Sequence, residues 1–223
     1  MASPLIVEAL AAVGDRLDQE LHGESVRRRL GETVVGPRLE PPTVHLLLAG
    51  GAAGMLTGLL DAERTTTDCD VMLYEPAEAR ELVDRIAAEV AGDFGLSERW
   101  LNSGGAPWMD AMPAGWRERL ETVLVRGPLH VHAVGRLDLL ALKLMAGRPQ
   151  DIEDLETMSM TAEEVTVLRA HFTGWTDASW PAGAVANAVE LLEALASEWG
   201  SAPSPTPRFA DFHAPAERAE GDA

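Results

Sequence analysis

The sequence predicts an α+β protein in which a small mixed sheet is flanked by helices and followed by a helical C-terminal part. Three observations lead to this prediction. Two short apolar runs, 43–49 and 69–74, have the length of buried strands. Two further runs, 121–125 and 129–134, are separated by Arg-Gly-Pro, which is typical of a hairpin. After these runs the apolar residues recur with helical periodicity.

The first half of the chain alternates helices, connectors and strands. A helix is predicted over residues 4–22, because its apolar residues recur near every 3.6 positions. Residues 31–42 contain Gly and Pro without a period and predict a connector. A helix of small residues, about 52–60, follows the first strand, and a helix from about 79 to 90 follows the second. Residues 99–119 are rich in Trp and Gly and have no period.

The second half is predicted to be helical. Helices are expected over 137–146 and 151–158, and from Trp180-Pro181 to about residue 199. Thr161 and Glu164 have the spacing of a capping box, which predicts a helix that begins there and ends near residue 172.

The predicted organisation therefore has four parts. These are an N-terminal helix and connector, a core that holds the sheet, a helical C-terminal part, and a disordered tail rich in Pro, Ala, Ser and acidic residues. Their boundaries are 1–42, 43–135, 136–200 and 201–223.

Composition limits the classes of function. The formal net charge of the 223 residues is −18, which disfavours tight nucleic-acid binding because that binding depends on Lys and Arg contacts to phosphates. The acidity suits a cationic substrate or a basic partner, or it serves solubility alone. No apolar run reaches 18 residues, so no membrane span is expected. The single cysteine, Cys69, is predicted to be a buried hydrophobe, and its isolation favours a cytoplasmic location.

Arginine far outnumbers lysine among the basic residues. Seventeen of the 18 are arginine, and the one lysine is Lys143. An ammonium is a compact point charge that a planar guanidinium does not reproduce at a tight phosphate site. Lys143 is therefore a candidate phosphate ligand, with chance as the alternative.

One segment, residues 46–74, combines several features of a nucleotide site. A buried strand ends at Gly50-Gly51, where the backbone can approach a ligand closely and a helix can begin. Asp68 and Asp70 come at the start of the next strand, and residues i and i+2 of a strand share a face. Two neighbouring carboxylates favour a bound Mg²⁺ or Mn²⁺. The alternatives are a simple turn for the glycines and solvated surface positions for the acids.

This segment resembles the first motif of the nucleotidyltransferase superfamily, a Gly-Gly or Gly-Ser pair followed by Asp-x-Asp. Arg64 and the three threonines that follow, ending at Thr67, are similar to the variant in the bacterial AbiEii-like toxin group and its uncharacterised relatives. A second block adds to the resemblance. It contains Lys143, then Arg148, then Asp151 and Asp154 at an i, i+3 spacing. The resemblance covers roughly residues 43–158.

The resemblance implies transfer of a nucleoside monophosphate from an NTP to an acceptor, with Mg²⁺ or Mn²⁺ as cofactor. The implied metal ligands are Asp68 and Asp70. The implied catalytic residues are Asp68, Asp70, Lys143, Asp151 and Asp154. The implied nucleotide-binding residues are Gly50, Gly51, Arg64, Thr67, Lys143 and Arg148. An alternative role for Arg148 is an ion pair with Asp151 or Glu153.

Two further features leave alternatives open. Many members of the superfamily carry a third carboxylate on a later strand, and the matching strand is taken here as 129–134, which carries His130 and His132 instead. These are candidate metal ligands or a general base, or ordinary residues of a polar face. Trp108 and Trp116 are candidates for stacking on a base, or core residues.

Three functional hypotheses follow. The first is an active nucleotidyltransferase that acts on an RNA, protein or small-molecule acceptor. One form of this hypothesis is a toxin-type enzyme with an antitoxin partner protein. The second is a small-molecule enzyme for a cationic acceptor such as an aminoglycoside. The third is a non-catalytic nucleotide-binding regulator that retains the fold, for which the missing strand carboxylate is the main argument.

Overall fold

A computed structural model describes residues 2–31, 42–61, 64–175, 180 and 183–199, with side chains as far as residue 22 in the first helix and 197 in the last. The predicted tail, 201–223, and most of the predicted connector, 31–42, lie outside the described residues. None of the described helices is both long and apolar enough to cross a bilayer.

The described chain is a mixed α+β structure, which confirms the predicted fold class. Its helices are α1 (Ser3–Gly31), α2 (Gly50–Leu56), α3 (Arg80–Phe94), α4 (Arg136–Ala146), α5 (Pro149–Met158), α6 (Ala162–Thr173) and α7 (Ala184–Trp199). Its strands are β1 (Val44–Ala49), β2 (Cys69–Glu75), β3 (Leu101–Asn102), β4 (Glu121–Arg126) and β5 (Leu129–Ala133). Much of the stretch predicted to be irregular forms 3₁₀ turns, at Ser103–Ala111 and Trp116–Arg119.

Several predicted boundaries differ from the observed ones. The first helix extends beyond residue 22 to Gly31. The helix predicted for 52–60 begins two residues earlier, at Gly50, and ends at Leu56. The helix predicted for 151–158 begins at Pro149, a residue favoured in the first helical turn.

The capping box at the start of α6 is confirmed. The Thr161 hydroxyl accepts a hydrogen bond from the backbone N–H of Glu164, and the Glu164 carboxylate accepts one from the N–H of Thr161.

The five strands form one sheet in the order β3-β2-β1-β5-β4. Strand β1 is antiparallel to β2 and parallel to β5, and β3 is parallel to β2. Residues that pair across strands share a face, so Ala49, Asp70 and Asn102 lie on one side of the sheet. This side carries the candidate site.

The opposite side of the sheet is apolar. Leu46, Leu48 and Val131 on that side are fully buried. Helix α3 lies there, because Tyr74, the partner of Leu46 in the sheet, donates a hydrogen bond of 2.8 Å to Asp84 of α3. The first helix packs against α3, β4 and β5 through an apolar stripe at a helical spacing. The stripe consists of Ile6, Ala9, Leu10, Val13 and Leu17.

Helix α4 is held over the site face by partly buried ionic contacts. Arg119 binds both oxygens of the fully buried Asp138 carboxylate, at 2.9 and 2.6 Å. Arg136 reaches Glu164 of α6 at 2.7 Å. Because both ends of these contacts are tied to separate elements, they orient the helix that carries Lys143.

Candidate nucleotide and metal site

The glycine pair at the end of β1 brings the backbone close to the carboxylate of Asp70. Gly50 has a φ of +70°, a left-handed conformation that L-residues with a side chain rarely adopt. A Cβ atom at Gly50 would lie 3.1 Å from Oδ2 of Asp70. Gly51 leaves room for the guanidinium of Arg64, which would collide with a Cβ there. The glycines therefore allow an acid and a cation to approach the start of α2.

The two acids of the Asp-x-Asp motif interact electrostatically. Burial raises the pKa of Asp70, and the charge of Asp68 raises it further. Arg148 and a hydrogen bond from Asn102 act in the opposite direction. Ionised together, these carboxylates repel, and a cation between them relieves that repulsion. Their oxygen donors fit Mg²⁺ or Mn²⁺.

Two carboxylates are the acidic side chains that this site could offer to a metal ion. Within the described residues, no three His, Cys, Asp or Glu side chains are grouped so that they could hold a metal ion. Asp68 and Asp70 would therefore provide two carboxylates, and phosphate oxygens and water would provide the remaining ligands, which is usual for Mg²⁺ in nucleotide sites.

The strand next to β2, which carries Asp70, is β3, a pairing that the sequence did not predict. Asn102 of β3 lies directly opposite Asp70. Strand β5, which carries His130 and His132, pairs with β1 and β4 and does not touch β2. The residue beside Asp70 is therefore an amide, which donates to that carboxylate, and neither histidine lines the cavity described below.

Lys143 lies at the centre of a buried ionic network. Its ammonium donates to Oδ2 of Asp154 at 2.5 Å and to Oδ1 of Asp151 at 3.2 Å. The Lys143 side chain is only 3% exposed. Both aspartates come from one face of α5, and α4 and α5 are joined by Gly147, which has a φ of +56°. Because of this short turn, α5 folds back on α4, and Asp151 and Asp154 contact Lys143.

Two arginines complete this network from opposite sides. Arg64 binds both oxygens of Asp154, at 2.8 and 2.7 Å. Arg148 binds Asp151 at 2.6 Å, and its side chain is largely exposed. Although burial opposes ionisation of Asp151, hydrogen bonding to Arg148 and the charge of Lys143 leave its pKa lowered. Asp151 is therefore held as a carboxylate.

A cavity of about 300 Å³ lies between this network and the Asp-x-Asp strand. Its polar lining includes Asp70, Lys143, Arg148 and Asp151, together with the backbone of Gly50. Its apolar lining includes Met72, Trp108, Leu139 and Leu142. The volume falls at the lower end of the range for small-molecule sites, and the split lining suits a ligand with one charged and one flat apolar part.

The remaining predicted site residues do not line this cavity. Arg64 does not line it and instead connects the glycine pair to Asp154. Thr67 and Asp68 line a second cavity of about 250 Å³ with Ser97, Arg99 and Asn102. Trp116 lies outside both and carries Arg117 over its ring at 4.5 Å. Arg99 had no signal in the sequence beyond its place in an irregular Trp-rich stretch.

Cys69 lies on the other face of β2 from the two acids. It is fully buried, and burial together with the charges of Asp68 and Asp70 raises its pKa to about 12. It is therefore a protonated thiol packed in the core, as the alternation of the strand predicted.

The histidines form a separate cluster on the same side of the sheet as the acids. His132 bonds to His45 through Nε2 at 3.0 Å and to Thr122 through Nδ1 at 3.1 Å. His130 meets the His45 ring edge to face at 5.1 Å. Burial and the neighbouring imidazoles lower the pKa of His132. The cluster is a hydrogen-bonded polar patch, away from the cavity.

The fold and the site together define a class: a mixed sheet with a Gly-Gly bend, an Asp-x-Asp strand and a buried Lys on a following helix. The family described as nucleotidyltransferase of unknown function (DUF6036) matches residues 35–179, and the chain belongs to that family. No curated protein and no solved structure matches the sequence. The description of the family agrees with the resemblance to the nucleotidyltransferase superfamily, but it does not extend to the AbiEii-like group.

Proposed function

We propose that this protein is a metal-dependent nucleotidyltransferase that transfers a nucleoside monophosphate from an NTP to an acceptor. The observation that supports the proposal most directly is that Asp70, Lys143 and Arg148 line one cavity beside the Gly50 bend. A carboxylate for a metal, cations for phosphates and a close backbone are the components that phosphoryl-transfer sites share.

Each part of the cavity has a distinct role in this proposal. Mg²⁺ bound by Asp68 and Asp70 would neutralise charge on the triphosphate and orient it for in-line displacement of pyrophosphate. Lys143, which uses two of its three N–H donors on aspartates, would direct the third toward a phosphate oxygen. Arg148 would bind the outer phosphates from the exposed edge. Trp108 would stack on the base.

The charges of the site support a metal-bound nucleotide. The four carboxylates of Asp68, Asp70, Asp151 and Asp154 face three cations, Arg64, Lys143 and Arg148. The cations therefore do not fully balance the acids, and a bare triphosphate would meet net repulsion. A dication held with the triphosphate removes this repulsion.

The direct test measures nucleotide binding and transfer separately. Binding of each Mg-NTP is measured by isothermal titration calorimetry, and transfer is measured with α-³²P-NTPs and fractionated lysate as the acceptor source. We expect the Asp68→Ala/Asp70→Ala variant to lose transfer by about two orders of magnitude or more. Asp93→Asn, an exposed acid on α3, is the matched control. Transfer that survives the double substitution would rule out this site.

A second candidate function is supported by Asn102. Because an amide and not a carboxylate lies opposite Asp70, a non-catalytic nucleotide-binding protein would also explain the site. Tight Mg-NTP binding without labelled product, in wild type and in Asn102→Asp alike, would favour this alternative.

The AbiEii-like resemblance extends the proposal to a toxin with an antitoxin partner protein. The test is expression of wild type and Asp70→Asn in a bacterial host. Growth arrest by the wild type alone, reversed by a protein encoded in a neighbouring reading frame, would support it. Equal growth of the two strains would contradict it.

A further inference from the structure

Arg99 differs from every other arginine whose side chain the structure describes. Each of those other arginines forms an ion pair with an Asp or Glu carboxylate. Arg99 has no such partner among the described residues, and it is exposed. In a chain with a net charge of −18, a guanidinium that has no carboxylate partner among the described residues is unusual. It is available to an anion from outside the protein.

Arg99 lines the second cavity, and that cavity reaches the metal-binding acids. The cavity of about 250 Å³ is lined by Arg99, Asp68, Asn102 and the hydroxyl-bearing Thr67 and Ser97. The Ser97 hydroxyl accepts from the Arg99 backbone N–H at 3.3 Å, and the Asn102 amide lies 3.5 Å from the Arg99 carbonyl. These contacts hold the turn that presents the guanidinium.

The two carboxylates of the Asp-x-Asp motif line different cavities. Asp70 lines the first cavity and Asp68 lines the second. Asn102 belongs to the second cavity and hydrogen-bonds to Asp70. In-line displacement requires the attacking hydroxyl and the leaving pyrophosphate to lie on opposite sides of the α-phosphorus. When a nucleotide occupies the first cavity, an acceptor in the second cavity would therefore lie on the side of the α-phosphorus that is open to attack.

We propose that the second cavity is the acceptor site, and that its substrate is a small hydroxyl-bearing molecule with one phosphate or carboxylate group bound by Arg99. This inference rests on the proposed function. The acceptor hydroxyl oxygen forms a bond to the α-phosphorus, the bond from that phosphorus to the bridging oxygen breaks, and pyrophosphate leaves with the electron pair. The hydroxyl proton passes to solvent.

The charge and size of the site favour a small molecule over a polymer. A polyanion such as RNA would place further phosphates against a protein of net charge −18, whereas a single anionic group meets the one guanidinium. A purely cationic acceptor would meet Asp68 but also the positive charge of Arg99. The hydroxyls of Thr67 and Ser97 can hydrogen-bond to the polar groups of a small acceptor.

The test measures binding with matched probes on the full chain in the presence of Mg²⁺ and a non-hydrolysable ATP analogue. The probes are glycerol 3-phosphate, glycerate, glycerol, ethanolamine and a short RNA oligonucleotide. The variants are Arg99→Gln and the control Arg85→Gln, which removes the same charge from an exposed arginine paired with Glu20 and Glu89.

We expect the two anionic probes to bind more tightly than glycerol or ethanolamine. Arg99→Gln should weaken their binding about tenfold, Arg85→Gln should not, and the affinity for the ATP analogue should stay unchanged in both. Glycerol 3-phosphate and glycerate then distinguish a phosphate from a carboxylate acceptor.

Several results would overturn the assignment. These are equal affinity for glycerol and its phosphate, an equal effect of the two substitutions, or tighter binding of RNA than of the small anions. Weaker binding of the ATP analogue in Arg99→Gln would instead place Arg99 in the nucleotide site. If no Mg-nucleotide binds the wild type at all, the proposed function itself fails, and that result is distinct from failure of the acceptor site alone.

Discussion

Replacing Lys143 with Met tests whether the buried ionic network holds the site together. The change removes an ammonium that is only 3% exposed and leaves Asp151 and Asp154 in place. Removing one partner of a buried pair costs about 3–5 kcal/mol, because the other charge stays buried without compensation. Each aspartate here keeps one arginine, Arg148 or Arg64. We therefore expect the lower end, a loss of about 3 kcal/mol in the free energy of unfolding.

Urea unfolding followed by circular dichroism measures this loss. With a slope of about 2–3 kcal/mol per molar urea, the midpoint should fall by about 1–1.5 M. Arg169→Met, which breaks an exposed pair with Glu193, is the matched control and should leave the midpoint unchanged. A loss below about 1 kcal/mol for Lys143→Met would refute the argument that this ammonium neutralises both acids.

The same variant separates the structural role of Lys143 from its proposed contact with phosphate. If the lysine also binds the triphosphate, Mg-NTP affinity measured where the variant is fully folded should fall about tenfold or more. Unchanged affinity would assign Lys143 a purely structural role.

Three other substitutions test the glycine bend, the acidic pair and the histidine cluster. Gly50→Ala and Gly58→Ala both place alanine at a positive φ, so each should lose roughly 1–2 kcal/mol in urea unfolding. Only Gly50→Ala should also abolish Mg-NTP binding in calorimetry, since its Cβ would approach Asp70, the proposed metal ligand, whereas nothing lies within 4 Å at Gly58. Asp70→Asn should remove transfer and raise the melting temperature at neutral pH. Burial and a neighbouring acid raise the pKa of this carboxyl, so its ionised form is unfavourable in the folded protein. A lower melting temperature would contradict this reasoning. The pKa of His132 is lowered in the folded protein, so the unfolded chain binds more protons and stability should fall as the pH drops below about 6.5. His132→Gln should reduce that loss between pH 7.5 and 5.5 and His22→Gln should not, as measured by urea midpoints at the two pH values; parallel curves for wild type and His132→Gln would oppose the assignment.

Burial and the neighbouring imidazoles make protonation of His132 unfavourable. The bond between His132 and His45 adds a geometric reason. One ring nitrogen must donate and the other must accept, so the contact at 3.0 Å fails when both rings carry protons at these atoms.

Much of the candidate site could be located from local sequence patterns. The start of a helix at the glycine pair, the spacing of Asp70 on β2 from Asp68 just before it, and the common face of Asp151 and Asp154 each depend on residues no more than four positions apart. The periods of helices and strands determine such relations before any tertiary contact forms. The burial of Cys69 between the two acids follows from the same alternation.

The pairing of β3 with β2 has a tertiary cause. Strands β4 and β5 were predicted from the sequence, and β5 is clear there because it has five residues and alternates apolar and polar side chains. Strand β3 has two residues and no detectable alternation. Its place beside Asp70 arises from its pairing with β2 across more than thirty residues of chain, and a local pattern carries no information on such pairing.

The sequence alone therefore determined which residues could form a nucleotide site: the Gly50 bend, the Asp-x-Asp pair and the single lysine. Only the tertiary structure decided how they are used. In the folded protein Lys143 pairs with two aspartates, and Asn102 lies beside Asp70. Arg99 has no carboxylate partner among the described residues and lines the second cavity. The physical reason is range, since backbone periodicity acts within a few residues, whereas ion pairs and strand neighbours depend on how distant segments pack.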